Sequence, residues 1–272
     1  MDLLPVLKAV LLGIVQGLTE FLPVSSSGHL VIGARLLNFQ EPGIVFEVFL
    51  HCGTLFAVIL VFKNELLQMA RALFAAPAVR AADPELARFF RWDINIIVAT
   101  LPAVVVGLLL INSIDRIFTT VWITYAMLAV TGALMLLTPV LRDRGAKITW
   151  PRALVIGVAQ AMAILPGLSR SGSTIFAGML LGINRETAAR FSFIMSIPAI
   201  VGAVFLNLGD LFASPPPADE MVAIAAGTFA SLVTGYGAIV LLLTMARRGK
   251  LYWFGYYCLA VSGFGFASHF WG

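Results

Sequence analysis

Two short polar stretches contain most of the residues that could do chemistry. In the first, Glu20, Ser26 and His29 lie within ten residues of chain. A serine hydroxyl is a weak nucleophile until a base takes its proton, and histidine is the usual base near neutral pH. Because Ser26 and His29 are three residues apart, one helical turn would bring them onto one face. This pattern predicts a serine nucleophile with acid–base support, in which Glu20 orients the imidazole or holds a divalent cation.

The second stretch lies far downstream and contains Arg170 in apolar surroundings. A charge in that position is costly inside a membrane unless it has an anionic partner, and the guanidinium fork binds phosphate oxygens in bidentate fashion. Flanking glycines free the backbone, and hydroxyls near a helix N-terminus add donors. We therefore predict a phosphate site; the alternative is that Arg170 pairs structurally with Glu20 or another carboxylate. The predicted phosphate-binding residues are Gln16, Ser25, Ser27, Gly28, Gly167, Ser169, Ser171, Gly172, Ser173 and Thr174.

The first stretch also has a structural interpretation. Residues 25–27 would then cap a helix, and His29 would be an interfacial polar residue. Gln16 and Glu20 are four residues apart and hence share a helix face. Their oxygens suit a hard cation, Mg²⁺ or Ca²⁺, so Glu20 is the predicted metal ligand. No zinc pattern of His and Cys accompanies them.

Two further polar pairs are spaced four residues apart in apolar sequence. Glu47 and His51 could face the cavity, although a structural pair explains them equally well. Glu186 and Arg190 are best explained as an ion pair that stabilises a helix.

The composition is that of a membrane protein. The chain has 272 residues, of which 60% are hydrophobic and 12% charged, against about 25% charged in a soluble domain. Its mean hydropathy is +0.96. We predict an all-α polytopic membrane protein made of one domain over residues 1–272, with the bilayer as its surroundings and no nucleic-acid partner. Six spans are predicted, at 45–62, 94–111, 118–140, 187–206, 221–245 and 251–271.

In two segments, a polar break separates two apolar stretches, and each stretch is too short to span the membrane. They are 4–38, broken near Pro23, and 151–183. Each is predicted to be a re-entrant helical hairpin, since irregular backbone at membrane depth is tolerated where protein buries it. Between them, 63–93 alternates apolar and basic residues, as an amphipathic interfacial helix does. With both hairpins re-entrant, the basic connections 63–93, 142–152 and 247–250 all fall on one side, which the positive-inside rule makes cytoplasmic.

The two hairpins are related by an internal repeat. A shift of 144 residues places 13–40 on 157–184 with seven identities in 28 positions, including a polar Gln, Ser, Ser, Gly set. Each half, roughly 1–141 and 150–272, then has one hairpin and three spans. Because three is an odd number of spans, the two halves enter the membrane from opposite sides. Such an arrangement is an inverted repeat, and its site would lie near the midplane of the membrane. The same shift places Ser26 opposite Arg170.

These motifs resemble one family. Gln16-x-x-x-Glu20 followed by residues 23–29, Pro-Val-Ser-Ser-Ser-Gly-His, resembles the first signature of bacterial undecaprenyl-pyrophosphate phosphatases of the bacitracin-resistance type. Residues 166–174, Pro-Gly-Leu-Ser-Arg-Ser-Gly-Ser-Thr, look like that family's second signature, PGxSRSxxT. The order and separation of the two motifs match, and the likeness covers essentially the whole chain.

The resemblance implies an enzyme of the bacterial inner membrane that removes the terminal phosphate of a C55 polyprenyl diphosphate, with a site open to the periplasm. It implies six spans, two re-entrant hairpins and dependence on a divalent cation. It assigns Ser26 as nucleophile, with His29 itself as the alternative, His29 and Glu20 as the acid–base pair, and Arg170 as the phosphate clamp. Gln16 stands where the family also uses Glu, which weakens the idea of two carboxylates sharing a metal.

The competing class of function is a transporter or flippase for lipid phosphates or anions. Inverted repeats with broken helices suit alternating access, and Arg170 could bind an anion in transit. The serine and histidine favour an enzyme. The sequence leaves the oligomeric state open and is compatible with a homodimer.

Overall fold

The computed structural model describes residues 3–36, 44–110, 121–213, 217 and 220–271. This part of the chain contains α-helices, one short 3-10 helix at Thr138–Val140 and no strand. The helices are α1 Leu3–Phe21, α2 Ser26–Leu36, α3 Ile44–Val61, α4 Lys63–Phe74, α5 Pro77–Ala82, α6 Pro84–Leu110, α7 Val121–Leu136, α8 Trp150–Met162, α9 Arg170–Leu180, α10 Arg185–Ala213, α11 Met221–Arg247 and α12 Tyr252–Trp271.

Five described helices are long and apolar enough to cross a membrane. They are α1, α6, α7 with the 3-10 turn after it, α10 and α11, and a sixth span results if α3 and α4, which meet at a bend of 79°, are taken together. The prediction of an all-α polytopic membrane protein is confirmed. The helices that qualify as spans differ in part from those predicted. Helix α1 qualifies on its own, although it was predicted as part of a re-entrant hairpin. Helix α12 covers the predicted span 251–271 but does not qualify; it is rich in glycine, serine and tyrosine.

Element boundaries also differ from those predicted. The amphipathic segment 63–93 is divided into α4, α5 and the first turns of α6, which begins at Pro84 and continues without a break into the predicted span 94–111. Proline is well placed at the first position of both α5 and α6. Residues 37–38, 111 and 118–120 of the predicted elements lie outside the described residues.

Each predicted hairpin is present as two helices joined by a short irregular loop. Helix α1 ends at Phe21, and Pro23 lacks the N–H that another helical turn would need. Helix α2 starts at Ser26 and packs back against α1. In the second hairpin, α8 and α9 pack together in the same way around residues 163–169. The two polar stretches are therefore these two loops.

The hairpins pack on helices of the opposite half. A Cβ added to Gly13 of α1 would lie 2.2 Å from the carbonyl oxygen of Gly227 in α11, and one added to Gly157 of α8 would lie 2.3 Å from that of Ala99 in α6. Gly13 and Gly157 are equivalent under the 144-residue shift. The same close backbone approach thus occurs once in each half, as an inverted repeat requires.

An aromatic cluster fills the core between the halves. Phe21, at the end of α1, meets the ring of Phe193 edge-on at 5.5 Å, and Phe62 lies 6.2 Å from Phe193 on another side. All three side chains are fully buried. Since Phe193 belongs to α10, this cluster ties the base of the first loop to the second half of the chain.

We expect Gly13→Ala and Gly157→Ala each to destabilise the protein by about 1–3 kcal/mol, because a methyl group there collides with backbone that cannot move aside. Thermal unfolding of the purified protein in detergent measures the effect. Gly107→Ala in α6 is the matched control, since nothing lies within 4 Å of an added Cβ there, and we expect it to be neutral or slightly stabilising. Equal melting temperatures for all three variants would contradict the packing described.

Candidate active site

The two loops lie against each other, and their contacts are reciprocal. A Cβ on Gly172 would lie 3.2 Å from Cβ of Pro23, and one on Gly28 would lie 3.8 Å from Cα of Gly167. The 144-residue shift converts Gly28 into Gly172 and Pro23 into Gly167, so each contact is the image of the other. The described residues thus bring the two predicted site loops together about a pseudo-twofold axis.

Helices α7 and α12, which belong to neither hairpin, hold the two loops in place by hydrogen bonds. The Thr131 hydroxyl of α7 donates to the carbonyl of Gly167 at 3.1 Å and accepts from the N–H of Ser169 at 3.0 Å. In the other half, the thiol of Cys258 in α12 donates to the carbonyl of Pro23 at 3.4 Å. Gly167 has φ +89°, and a side chain there would lie 2.1 Å from a backbone oxygen of α7, so this position requires glycine.

Glu20 is the centre of the site. Its Oε1 pairs with Nη2 of Arg170 at 2.7 Å, and its Oε2 accepts hydrogen bonds from the Ser26 hydroxyl at 2.7 Å and from Nε2 of Gln16 at 3.2 Å. The side chains of Glu20 and Arg170 are only 8% and 17% exposed. The pairing of Arg170 with Glu20, stated above as the structural alternative, is therefore present, and it lies beside the predicted nucleophile.

The electrostatics of the site still favour an added anion. Helices α2 and α9 both begin at the touching loops, and each helix N-terminus carries about half a positive charge. Together with the Arg170 guanidinium, the positive charge of these two helix termini exceeds the single negative charge of Glu20. A phosphate placed here would meet excess positive potential, the first-turn N–H groups and the remaining guanidinium donors.

His29 is held away from Ser26. Its Nδ1 lies 2.8 Å from the carbonyl oxygen of Ser25 and its Nε2 lies 2.8 Å from the hydroxyl of Tyr257. Because a carbonyl only accepts, Nδ1 carries the proton and Nε2 accepts from the tyrosine. The expected contact between Ser26 and His29 is not formed in the described structure. Ser26 is the first residue of α2 and its side chain points back to Glu20, whereas the His29 ring stacks on Tyr257 of α12.

His51 lies at the site, although its position in the sequence provided only a weak signal. Its Nδ1 lies 2.8 Å from the backbone carbonyl of Glu47, and its Nε2 lies 3.8 Å from Oε2 of Glu20. The side chain is 33% exposed, so it lies between the buried carboxylate and the outside. The four-residue spacing with Glu47 was the available signal. The ring is anchored on the Glu47 backbone carbonyl, and the two side chains also interact electrostatically.

The serines of the two loops form equivalent pairs. Ser25 and Ser27 have their hydroxyl oxygens 3.3 Å apart, and their counterparts Ser169 and Ser171 have theirs 3.2 Å apart. Ser169 also accepts from the N–H of Gly172 and so caps α9. Ser25 has φ +69°, a strained conformation for a residue with a side chain, which costs about 1–3 kcal/mol and is typical of functional sites.

Other hydroxyls predicted to bind phosphate have structural partners here. Thr174 lies 2.6 Å from the Ser192 hydroxyl and donates to the carbonyl of Arg170, and the Ser171 hydroxyl donates to the carbonyl of Leu22 in the first loop. These bonds position Arg170 and join the loops. The buried hydroxyl of Ser173 has no hydrogen-bond partner within the described chain.

The donor set around Glu20 fits a hard cation that shares its ligands with a substrate. No cluster of three or more His, Cys, Asp or Glu side chains suited to a metal exists among the described residues. Beside Glu20, however, Oε1 of Gln16 is buried and has no hydrogen-bond partner there. Mg²⁺ is often held by one or two protein oxygens together with substrate phosphates, and Glu20 and Gln16 can supply such oxygens.

We expect Glu20→Gln or Arg170→Gln alone to cost about 3–5 kcal/mol of stability, because each leaves a buried charge without its partner. The double variant should lose less than the sum of the two, which thermal unfolding in detergent would measure. Arg88→Gln is the control, since the Arg88 and Glu85 side chains are 57% and 64% exposed and such pairs contribute little. Strict additivity of the two single losses would contradict a direct Glu20–Arg170 pair.

The chain is similar to known proteins along nearly its whole length. The family described as bacitracin resistance protein BacA matches residues 9–264. The chain is similar to the undecaprenyl-diphosphatase of Desulfatibacillum aliphaticivorans, with 43% identity over 265 residues that cover 94% of this chain and 95% of that protein. It is also similar to that of Rubrobacter xylanophilus, with 41% identity over 269 residues covering 96% and 97%. The chain belongs to the bacitracin resistance protein BacA family.

Proposed function

We propose that this protein is a membrane phosphatase that hydrolyses undecaprenyl diphosphate to undecaprenyl phosphate and inorganic phosphate. Such an activity would recycle the carrier lipid of peptidoglycan and other cell-wall polymers and confer bacitracin resistance. The observation that carries the proposal is the Ser26 hydroxyl bonded at 2.7 Å to Glu20, itself paired with Arg170. Relatives that are 41–43% identical along nearly their whole length have the name undecaprenyl-diphosphatase.

In the first step, Ser26 Oγ attacks the terminal phosphorus while its proton passes to Oε2 of Glu20, its hydrogen-bond partner. The bond between that phosphorus and the bridging oxygen breaks, and its electron pair stays on the departing undecaprenyl phosphate. The leaving group is a phosphate, so it needs no proton to depart. The product is a phosphoserine at Ser26.

In the second step, water attacks the phosphoserine and the bond from phosphorus to Oγ breaks. Glu20 returns its proton to Oγ, inorganic phosphate leaves, and the proton lost by water is released. His29 stays a proposed acid–base group for this step. To take that proton, or to act as the nucleophile itself, its Nε2 would have to leave the Tyr257 hydroxyl.

Charge stabilisation is the main contribution in phosphoryl transfer. Arg170 has donors beyond the one that Glu20 occupies, and the first turns of α2 and α9 offer backbone N–H groups. A divalent cation, Mg²⁺ or Ca²⁺, would be held by Glu20 and Oε1 of Gln16, and when bound it supplies positive charge against the diphosphate.

We place the protein in the bacterial inner membrane with its site open to the periplasm. The basic connections 63–93, 142–152 and 247–250 would be cytoplasmic by the positive-inside rule. Contacts in the structure support a shared side for two of them, because Glu186 of α10 pairs with Arg247, and Arg190 pairs with Glu65 of α4. The prenyl tail would stay in the bilayer while the head group reaches the loops, and a homodimer is compatible with this arrangement.

We expect Ser26→Ala and Glu20→Gln to lower the rate of phosphate release by about a thousandfold or more, since they remove the nucleophile and its proton acceptor. Arg170→Lys should cost about a hundredfold by losing the guanidinium fork. Thr244→Ala, which removes a hydroxyl that donates to the Val240 carbonyl within α11, is the control and should stay within about twofold of wild type. The assay measures inorganic phosphate from a long-chain polyprenyl diphosphate in detergent, with each variant shown to be folded.

The same assay separates the enzyme from the transporter. Hydrolysis needs no second compartment, whereas transport does. A folded wild-type protein that releases no phosphate in detergent with cation present would reject the phosphatase and favour a transporter or flippase. Activity that persists in Ser26→Ala but is lost in His29→Gln would move the nucleophile to His29.

We expect a chelator to abolish phosphate release and added Mg²⁺ or Ca²⁺ to restore it. Gln16→Ala should raise the cation concentration needed for half-maximal activity by about tenfold or more, because an oxygen ligand is lost. Gln16→Glu, which adds a charged ligand at the same position, should lower it. Identical cation dependence in all three proteins would show that Gln16 does not hold the cation.

A further inference from the structure

A second cationic pocket lies at the far end of α9 from the Glu20–Arg170 site. Arg170 begins α9 and Leu180 ends it, and eleven helical residues extend for about 16 Å. The cavity there has a volume of about 320 Å³. Its lining combines apolar and basic residues: Val140, Leu141, Arg142, Arg144, Met179 and Leu180.

The backbone that presents Arg144 is held firmly. The N–H groups of Arg144 and Ala146 both donate to the carbonyl of Gly182, at 3.0 and 3.1 Å. The aliphatic part of the Arg144 side chain lies directly on Gly182, where an added Cβ would be 3.0 Å from Cβ of Arg144. The Arg144 side of the pocket therefore needs little backbone ordering on binding.

The pocket keeps a net positive charge, because its two arginines outnumber the one acidic residue of the same connection. Asp143 lies between the arginines, but its carboxylate accepts from the N–H of Gly145 at 2.9 Å and from the amide of Asn184 at 2.7 Å. These hydrogen bonds lower the pKa of Asp143, so it stays ionised in that position. Within the described chain, no carboxylate forms an ion pair with Arg142 or Arg144.

The pocket lies at a membrane boundary. Val140 ends the candidate span Val121–Val140, and the candidate span Arg185–Asn207 begins just beyond Leu180. Val140 and Leu180 are 71% and 59% exposed, so apolar surface faces outward beside the arginines. Trp150, also well exposed, is of the residue type enriched at membrane interfaces.

We propose that this pocket binds the phosphate head group of an anionic phospholipid. Arg142 and Arg144 contact the phosphate oxygens, for which the guanidinium fork is suited. Val140 and Leu180 contact the first methylenes of the acyl chains. A soluble anion would use only the basic half of this surface, and a neutral lipid only the apolar half, whereas an anionic phospholipid uses both.

The test is a titration of the full-length protein in detergent with phosphatidylglycerol, with bound lipid counted by native mass spectrometry. We expect about fivefold weaker binding for Arg142→Gln or Arg144→Gln and about thirtyfold for the double variant, since each juxtamembrane arginine contributes roughly equally. Phosphatidylcholine should bind the wild type weakly, with an affinity no higher than that of phosphatidylglycerol for the double variant. The double variant should hydrolyse its diphosphate substrate normally in detergent, which shows that it is folded.

Lys147→Gln is the matched control, because Lys147 is a basic residue of the same connection that does not line the pocket. It should bind phosphatidylglycerol within about twofold of wild type. Equal weakening by Lys147→Gln would reduce the effect to general attraction and overturn the proposal. Displacement of the lipid by inorganic phosphate at comparable concentration would also overturn the proposal, because it would indicate a site for soluble anions. Unchanged phosphatidylglycerol binding by the double variant would overturn it as well.

Discussion

The buried ion pair between Glu20 and Arg170 is the interaction on which the site depends. Its two members come from different halves of the chain, 150 residues apart, and each is nearly inaccessible to water. A single buried charge is far more costly than a buried pair, so neither hairpin is electrostatically acceptable until the other is docked. The pair therefore couples the assembly of the fold to the assembly of the site, and it holds the carboxylate beside Ser26.

The duplication explains how one loop structure serves two chemical purposes. Both loops have a serine pair, a glycine at the same offset and a helix N-terminus, and their mutual contacts are images of each other. At one of the positions where the two loops differ, the first has Ser26 and the second has Arg170. The first copy thus offers a hydroxyl and the second a cation, and both contact the same carboxylate, that of Glu20.

Two imidazoles flank this arrangement and differ in their freedom. Both nitrogens of His29 are engaged, one by the Ser25 carbonyl and one by the Tyr257 hydroxyl, so its ring supports the turn that presents Ser26. His51 is anchored through one nitrogen only, and the other faces Glu20 from a partly exposed position. The side chain that accepts the hydrogen bond of Ser26 is thus a carboxylate, and the two histidines lie to either side of it.

The sequence by itself determined the membrane class, the two helical hairpins, their relation by repeat, the family, and the choice of Glu20, Ser26 and Arg170 as candidate site residues, which the structure brings into contact. These follow from composition, local breaks and motifs, all readable along the chain. Tertiary structure alone decided that His29 turns to α12, that His51 faces Glu20, and that α3 bends sharply into α4. The physical reason is that a side chain's partner is set by the helix packed against it. Spacing along the chain fixes only the face from which the side chain emerges.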